Sequence, residues 1–361
     1  MRILTFFITL LVTAACFTRP VERTATTEVH PGNNALVYNG RVQNDTDSVA
    51  IYWPGTSLTF RFEGTGVTAL LKDESGSNYF NVIIDNDSLR YFRLDKFKTR
   101  HALAEGLENG PHTIQLIKRT ESDKGATWLY GLSIVGKLLP PPPPRDRIIE
   151  FFGNSITAGY AIEDNSGGDS PDSIYTNNYA TYAAITARYF NADYYCTARS
   201  GIGILVSWFP QTMPEIYDRL DPNDPASKWD FSRVKPDVVV INLFQNDSWL
   251  TKMPDHESFK MRFGLKPPDE SQIVDAYRAF VANIRKVYPD AYIICALGSM
   301  DAVKKDSPWP GYIVTAVKQL QDEKILTHFF PFMGKGGHPR KKDNKAMAQS
   351  LIDFIEKNVT W

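Results

Sequence analysis

The chain has 361 residues, of which 43% are hydrophobic and 22% are charged. This is an ordinary globular composition, and the length is sufficient for two domains with cores of their own. The 40 basic and 41 acidic residues give a formal net charge of −1. Such a balance gives no indication of a nucleic-acid partner or of an anionic membrane surface as a partner.

The first 16 residues are predicted to be an export signal. Arg2 precedes an apolar run over residues 3–12, which is too short to span a bilayer comfortably, and small residues then lead to Cys16. This pattern predicts a signal peptide in residues 1–16 and a periplasmic, outer-membrane or secreted protein. The two alanines before Cys16 are also similar to a bacterial lipobox, which would make Cys16 a lipid-anchor site. Thr13 departs from that pattern, and a plain signal peptide is the alternative.

Residues 28–139 contain short segments in which apolar and polar residues alternate. Such alternation is found over residues 58–62, 80–84 and 113–116, and Gly, Pro, Asn and Asp residues separate the segments. No long segment has helical periodicity. Many short strands with turn residues between them predict an N-terminal all-β jelly-roll sandwich.

Residues 140–146 are predicted to link two domains. Five consecutive prolines, Pro140 to Pro144, favour an extended polyproline conformation and exclude both helix and sheet pairing. The sequence pattern also differs on the two sides of this run. The alternative is a surface crossover inside a single domain.

Residues 147–361 alternate between strand-like and helix-like segments. Buried strands are predicted over residues 148–152, 192–198, 237–244, 291–297 and 325–330. Helices are predicted over residues 178–190, 273–288, 313–320 and 341–357. Repeated β-α units require a parallel sheet covered on both faces, so we expect a C-terminal α/β three-layer sandwich.

Cysteine usage indicates neither a disulfide framework nor a metal site. Cys196 and Cys295 each lie in an apolar, strand-like run, which favours buried free thiols, and a single disulfide between them is the alternative. No Cys/His cluster has metal-ligand spacing. We therefore expect a protein without a metal or another cofactor.

Four polar or glycine-rich motifs each follow a predicted strand. They contain Ser155, Gly201, Asn246 and His338. Because the carboxyl ends of parallel strands meet at one edge of a sheet, these residues are expected to converge. A serine hydroxyl attacks well only when a base removes its proton, and the resulting oxyanion needs hydrogen-bond donors. The set predicts a serine esterase, although each residue taken singly has a structural alternative as a helix cap or turn former.

The same motifs carry a family resemblance. Residues 153–157 (Gly-Asn-Ser-Ile-Thr), Gly201, Asn246 and His338 resemble, in order, the four blocks of the SGNH (GDSL-type) hydrolases. With the preceding β-sandwich, the chain resembles carbohydrate esterase family 2, whose members remove acetyl groups from plant polysaccharides. The resemblance implies that Ser155 is the nucleophile and His338 the base. It also implies an oxyanion hole made of the Ser155 and Gly201 N–H groups and the Asn246 side-chain amide.

The position of the usual triad acid departs from the family pattern. Lys335 lies three residues before His338, where a triad normally has its aspartate. The resemblance to family 2 esterases therefore implies a Ser–His dyad, in which a backbone carbonyl or another group orients the imidazole. Asp301 and Asp343 are the alternative acids.

Three tryptophans are candidates for sugar binding. Trp208, Trp249 and Trp309 are predicted to lie in loops near the rim of the site, where an aromatic face can pack on a sugar ring. Trp309 is the preferred platform because prolines on both sides would stiffen its loop. Core packing is the alternative for each of the three.

The sequence therefore predicts an exported, monomeric esterase, and the resemblance implies that it removes O-acetyl groups from a polysaccharide such as xylan or glucomannan. The reaction would pass through an acyl-serine intermediate without a cofactor. A catalytically impaired carbohydrate-binding protein is the rival hypothesis, favoured by Lys335 and by two further departures. Asn154 replaces an aspartate of the family pattern, and Phe244 replaces a glycine and is expected to narrow or reshape the oxyanion side. An esterase or lipase acting on non-carbohydrate esters is a third hypothesis.

Overall fold

The computed structural model describes residues 25–334 and 336–361. The expected signal peptide, Cys16 and Lys335 lie outside these described residues. The N-terminal domain contains β1 Thr26–Val29, β2 Val37–Asn39, β3 Val42–Asn44, β4 Val49–Ile51, β5 Ser57–Asp73, β6 Tyr79–Ile84, β7 Ser88–Arg93, β8 Thr99–Ala104, β9 Gly110–Lys118 and β10 Thr127–Leu138. Every pairing between these strands is antiparallel, and the main strand order is β3-β4-β10-β5-β9-β6-β7.

The long strand β5 explains how this sheet encloses a core. Its first part pairs with β2 and β9, its second part pairs with β8, and β10 pairs along most of its length. Between these parts Thr65 has no partner in the ladder with β10, which is a β-bulge that shifts the side-chain alternation by one residue. Apolar side chains from both parts therefore enter one core: Leu58, Phe60, Phe62, Val67, Ala69 and Leu71. The predicted all-β domain is confirmed, as one continuous sheet folded over its core.

The C-terminal domain contains the parallel strands β11 Arg147–Gly153, β12 Ala192–Ala198, β13 Val238–Asn242, β14 Tyr292–Leu297 and β15 Ile325–Phe329, in the order β12-β11-β13-β14-β15. Its helices are α1 Ser155–Ala158, α2 Tyr182–Tyr189, α3 Met213–Ile216, α4 Gln245–Leu250, α5 Glu257–Phe263, α6 Glu270–Val287, α7 Trp309–Leu320 and α8 Lys341–Asn358. The predicted α/β sandwich with a parallel sheet is confirmed.

Both faces of this sheet are covered, as a parallel sheet requires. On β13, Val239 and Ile241 pack with α6 and α7, whereas Val238 and Val240 pack with α2 and α8 on the other face. The chain leaves β11 toward β12 on one side and later returns to β13 on the other. Ligands of open α/β sheets bind at such a reversal, beyond the carboxyl ends of the strands.

Residues 139–146 form neither helix nor strand between β10 and β11. Buried polar groups nevertheless join the two domains. Arg41 of the first domain and Glu150 of β11 form an ion pair at 2.9 Å, with both side chains at most 2% exposed. Asn39 donates to the Asp193 carboxylate at 2.9 Å. The domains therefore share an ordered interface.

Cys196 on β12 and Cys295 on β14 are buried free thiols, as expected from the sequence. None of the helices in residues 25–334 and 336–361 combines the length and the hydropathy that a membrane span requires. Within the same residues, no three His, Cys, Asp or Glu side chains come together as a metal site would require.

Candidate active site

Ser155 lies at the start of a four-residue helix, α1, directly beyond the end of β11. Asn154 caps this helix by accepting a hydrogen bond from the Ile156 N–H at 3.0 Å, so the Ser155 hydroxyl is not needed as a cap. A Cβ atom at Gly153 would come within 2.1 Å of the Thr157 hydroxyl, which explains the glycine at the strand end. The turn thus presents the Ser155 hydroxyl beyond the edge of the sheet.

His338 joins Ser155 to a carboxylate. Its Nε2 lies 2.8 Å from Ser155 Oγ, and its Nδ1 lies 2.7 Å from Asp169 Oδ2. The His338 backbone N–H also donates to the Asp169 carboxylate at 3.1 Å. The Tyr160 ring packs edge-on against the imidazole, with 4.9 Å between ring centres. These contacts form a Ser–His–Asp line, the arrangement in which a base activates a hydroxyl and an acid orients the base.

The expected dyad without an acid is corrected by this geometry. Asp169, rather than a backbone carbonyl, contacts the imidazole Nδ1. The alternative acids have other partners: Asp301 accepts hydrogen bonds from Gln245 and Trp249, and Asp343 accepts one from a backbone N–H at the start of α8. Because Asp169 comes from the loop before α2, it is far in sequence from the usual acid position.

Asp169 is held in its charged form. The hydrogen bond from His338 is the main cause that keeps the pKa of this carboxyl well below its usual range. Arg340 also contributes, because its guanidinium lies 2.9 Å from Asp169 Oδ1. The same guanidinium donates to the carbonyls of Ala161 and Gly168, which fixes the loop that carries Asp169. An ionised Asp169 can orient the imidazole and stabilise its protonated form.

Gly201 and Asn246 are brought together beyond the neighbouring strands. Asn246 Nδ2 donates to the Ile202 carbonyl at 2.7 Å, and its Oδ1 accepts from Trp208 Nε1 at 3.1 Å. The second hydrogen of this amide remains available as a donor. Gly201 has φ +80°, and a Cβ atom there would press on Trp208 at 3.3 Å. Within the described part of the chain, the N–H groups of Gly201 and Ser155 donate to no partner, so both are free to bind an oxyanion.

Asp247 fixes the loop that follows Gly201. Its carboxylate is fully buried and accepts hydrogen bonds from the backbone N–H groups of Ile204, Leu205 and Val206. Burial raises the pKa of this carboxyl to about 6. The Gln245-Asn246-Asp247 motif therefore supplies both a candidate oxyanion donor and the anchor of the opposite loop.

The expectation for Phe244 is wrong. Its ring is fully buried in the core, with its centre 4.7 Å from that of Tyr277 and 4.9 Å from that of Trp309. The backbone has φ +81°, the left-handed conformation that a glycine adopts more readily. The side chain therefore turns into the core and does not narrow the oxyanion side.

The tryptophans have different environments. Trp309 is only 3% exposed because it begins α7 and packs in the core, so its preferred role as a sugar platform is wrong. Pro310 lies in the first helical turn, where a missing N–H costs nothing, and so it does not prevent this helix start. Trp208 is 43% exposed beside Asn246 and remains available to a ligand.

Trp249 is half-buried and donates to the Asp301 carboxylate at 2.9 Å. It lines a cavity of about 430 Å³ together with Met300, Asp301, Lys304, Phe332, Gly334, Gly336 and Gly337. Since the last two residues directly precede His338, this cavity lies beside the base.

Two family models match the chain. Residues 38–142 match the carbohydrate esterase 2 N-terminal domain, and residues 151–348 match the GDSL-like Lipase/Acylhydrolase family. Cellulase/esterase CelE of Acetivibrio thermocellus is 32% identical over 342 residues, which cover 91% of this chain and 40% of CelE. An acetylxylan esterase / glucomannan deacetylase of Cellvibrio japonicus is 26% identical over 327 residues, which cover 88% of this chain and 87% of that protein.

Solved structures agree with these matches. The structure of a family two carbohydrate esterase from Clostridium thermocellum in complex with cellohexaose is 32% identical, has a TM-score of 0.79, and covers 89% of this chain and 98% of that one. Two matched domains in the predicted order, with a GDSL-type hydrolase domain that holds the Ser–His–Asp line, define a carbohydrate esterase. The chain belongs to the family 2 carbohydrate esterases. It spans 40% of the length of CelE.

Proposed function

We propose that this protein is an exported esterase that removes O-acetyl groups from a plant polysaccharide of the xylan or glucomannan type. The observation that carries the proposal is the hydrogen-bonded line from Ser155 through His338 to Asp169, at 2.8 Å and 2.7 Å. The names of the Cellvibrio japonicus relatives support the substrate class, and the pattern of residues 1–16 supports export.

The first half of the reaction acylates the serine. As Ser155 Oγ attacks the acetyl carbonyl carbon, His338 Nε2 accepts the hydroxyl proton, and Asp169 stabilises the imidazolium through Nδ1. When the tetrahedral intermediate collapses, the bond to the sugar oxygen breaks and His338 returns the proton to that oxygen. The products are a free sugar hydroxyl and acetyl-Ser155.

The second half repeats these steps with water. His338 takes a proton from a water molecule as the water oxygen attacks the acetyl carbon, and then protonates Ser155 Oγ as acetate leaves. In both halves the negative charge develops on the carbonyl oxygen. The N–H groups of Ser155 and Gly201 and the Asn246 amide are placed to stabilise it.

The surroundings of the site favour a carbohydrate. Trp208 offers an exposed aromatic face beside the oxyanion donors, and Trp249 lines the adjoining cavity. Aromatic faces of this kind pack against the apolar faces of sugar rings. Two features favoured an impaired binding protein: the missing acid before His338 and the Phe244 side chain. Neither favours it now, because Asp169 contacts the imidazole and Phe244 lies in the core.

The test is acetate release from 4-nitrophenyl acetate and from acetylated xylan by the purified protein, beside Ser155→Ala and His338→Ala. We expect wild-type turnover on both esters and loss of turnover in both variants. A folded wild-type protein that releases no acetate from either ester would contradict the proposal and favour the binding-protein hypothesis.

A further inference from the structure

A carboxylate of the N-terminal domain contacts the loop of the catalytic domain that contains Gly201. Glu121, in the loop between β9 and β10, is only 3% exposed. Its Oε2 accepts a hydrogen bond from the Ser200 backbone N–H at 2.6 Å, and its Oε1 accepts one from the Ser200 hydroxyl at 2.6 Å. Ser200 directly precedes Gly201, whose N–H is a candidate oxyanion donor.

The Glu121 loop is itself firmly anchored. The buried Lys118 ammonium donates to the carbonyls of Tyr52 and Gly125 at 2.9 Å. The Asn78 amide donates to the Lys124 carbonyl at 3.0 Å and to the Gly125 carbonyl at 3.2 Å. These contacts hold residues 121–125 against the β-domain, so that Glu121 meets Ser200 from a rigid support.

We propose that Glu121 is a positioning residue of the esterase site, through which the N-terminal domain sets the orientation of the Gly201 N–H. This inference rests on the function proposed above. Fixing both the N–H and the hydroxyl of Ser200 fixes the orientation of this residue and of the peptide that follows it. A carboxyl group is suited to this task because each of its two oxygens accepts one of these hydrogen bonds.

The two sides of the Gly201 loop are then held by two domains. Asp247 of the catalytic domain binds the N–H groups after Gly201, and Glu121 of the β-domain binds the residue before it. A donor held on both sides is preorganised, which is the condition under which an oxyanion hole is effective. The β-domain would therefore contribute to turnover even if it bound no sugar.

Asn39 provides a matched control. Its amide donates across the same interface to Asp193 at 2.9 Å, but Asp193 lies near the start of β12, whereas Ser200 lies just beyond its end. Asn39→Ala therefore removes an interdomain hydrogen bond far from the catalytic residues. This variant therefore measures how the loss of one interdomain contact affects kcat and stability when the loop that contains Gly201 is unchanged.

The experiment measures kcat and KM on 4-nitrophenyl acetate, together with thermal unfolding, for Glu121→Ala, Glu121→Gln and Asn39→Ala. We expect Glu121→Ala to lower kcat by roughly 10- to 100-fold with KM nearly unchanged, since an oxyanion contact forms in the transition state. Glu121→Gln should recover most of kcat because its amide can accept from the Ser200 N–H and donate to the hydroxyl. Asn39→Ala should leave kcat unchanged.

Equal kcat values for folded Glu121→Ala and Asn39→Ala would overturn the inference, as would a change confined to KM. If Glu121→Ala does not fold, Ser200→Ala serves instead. We expect it to lower kcat by roughly threefold or more through the lost hydrogen bond, and an unchanged kcat would overturn the inference. An inactive wild-type protein would contradict the proposed function itself and remove this inference with it.

Discussion

The two carboxylates beside the candidate catalytic groups, Asp169 and Glu121, lie in opposite electrostatic environments. On the base side, Asp169 is partly exposed and faces His338 and Arg340, and its pKa is lowered. On the oxyanion side, Glu121 is buried, its carboxyl oxygens accept hydrogen bonds from the uncharged N–H and hydroxyl of Ser200, and burial raises its pKa to about 7. The first carboxylate stabilises charge that appears on a neighbour, and the second orients a backbone donor.

Hydrogen bonds of similar length therefore serve different purposes at Asp169 and at Glu121. The ion pair around Asp169 matters when the imidazole becomes charged, so its loss should mainly affect turnover. The contact at Glu121 joins two domains, so its loss should affect turnover and also the stability of the interface. Substitutions at the two carboxylates and their neighbours should separate the effect on turnover from the effect on stability.

The largest effect is expected for Asp169→Asn. An amide at this position can favour the wrong tautomer of His338, and loss of the triad acid costs about 10⁴ in kcat in a serine protease. We therefore expect a comparable loss here, with the protein remaining folded, measured as kcat on 4-nitrophenyl acetate. A loss below about tenfold would mean that the site works as the dyad expected from the sequence.

The next effect concerns the oxyanion side. Asn246→Ala removes a side-chain donor and should lower kcat by on the order of 10²–10³. The KM should change little, because the donor acts on the charge that forms in the transition state. A rise in KM at unchanged kcat would show that Asn246 binds the ground state instead.

The tryptophans should separate stability from substrate binding. Trp309→Ala should lower the free energy of unfolding by about 3–5 kcal/mol because it leaves a cavity in the core. Trp208→Ala should leave stability nearly unchanged and raise KM on acetylated xylan by roughly threefold to tenfold, the contribution of one aromatic contact. Denaturant unfolding and xylan kinetics check both, and a stable Trp309→Ala with a raised KM would reverse the assignment.

The smallest effect is the pH dependence of stability. Because the folded pKa of Glu121 is raised from 4.5 to about 7, the unfolded chain loses this proton first as pH rises. The wild type should therefore lose stability relative to Glu121→Gln between those pH values. Among the described residues, the titratable groups that interact electrostatically with this carboxyl include Asp123, Lys124, Tyr160, Arg199 and Cys196.

Melting temperatures of wild type and Glu121→Gln at about pH 5 and about pH 8 check this sign. The melting temperature of Glu121→Gln relative to that of the wild type should be higher at the higher pH. Asp169 should behave oppositely, since its lowered pKa gives stability that is lost only as pH falls below about 3.8. A pH-independent difference for Glu121→Gln would contradict the burial of an ionisable carboxyl at this position.

The strand-end residues could be predicted because their signals are local. Ser155, Gly201, Asn246 and His338 each follow a segment whose apolar run identifies a buried strand, and parallel strands end at one edge. The predicted sugar-binding role of Trp309 was wrong because its flanking prolines were interpreted as a loop. A proline is also compatible with the first turn of a helix.

Asp169 and Glu121 could not be predicted in this way. The loop between α1 and α2 contains four acidic residues, Glu163, Asp164, Asp169 and Asp172, and nothing in the sequence indicates which one reaches the imidazole. Glu121 acquires its role only when the two domains dock. Long-range placement, rather than composition or periodicity, determines both contacts.

Locating the acetyl group on the enzyme during turnover tests whether Ser155 is the nucleophile. Wild-type protein is mixed with 4-nitrophenyl acetate, quenched in acid during turnover, and mapped by peptide mass spectrometry beside Ser155→Ala. We expect one acetyl group on Ser155 in the wild type, and neither this adduct nor turnover in the variant. Turnover that survives in Ser155→Ala, or an acetyl group that maps to another residue, would contradict this role of Ser155.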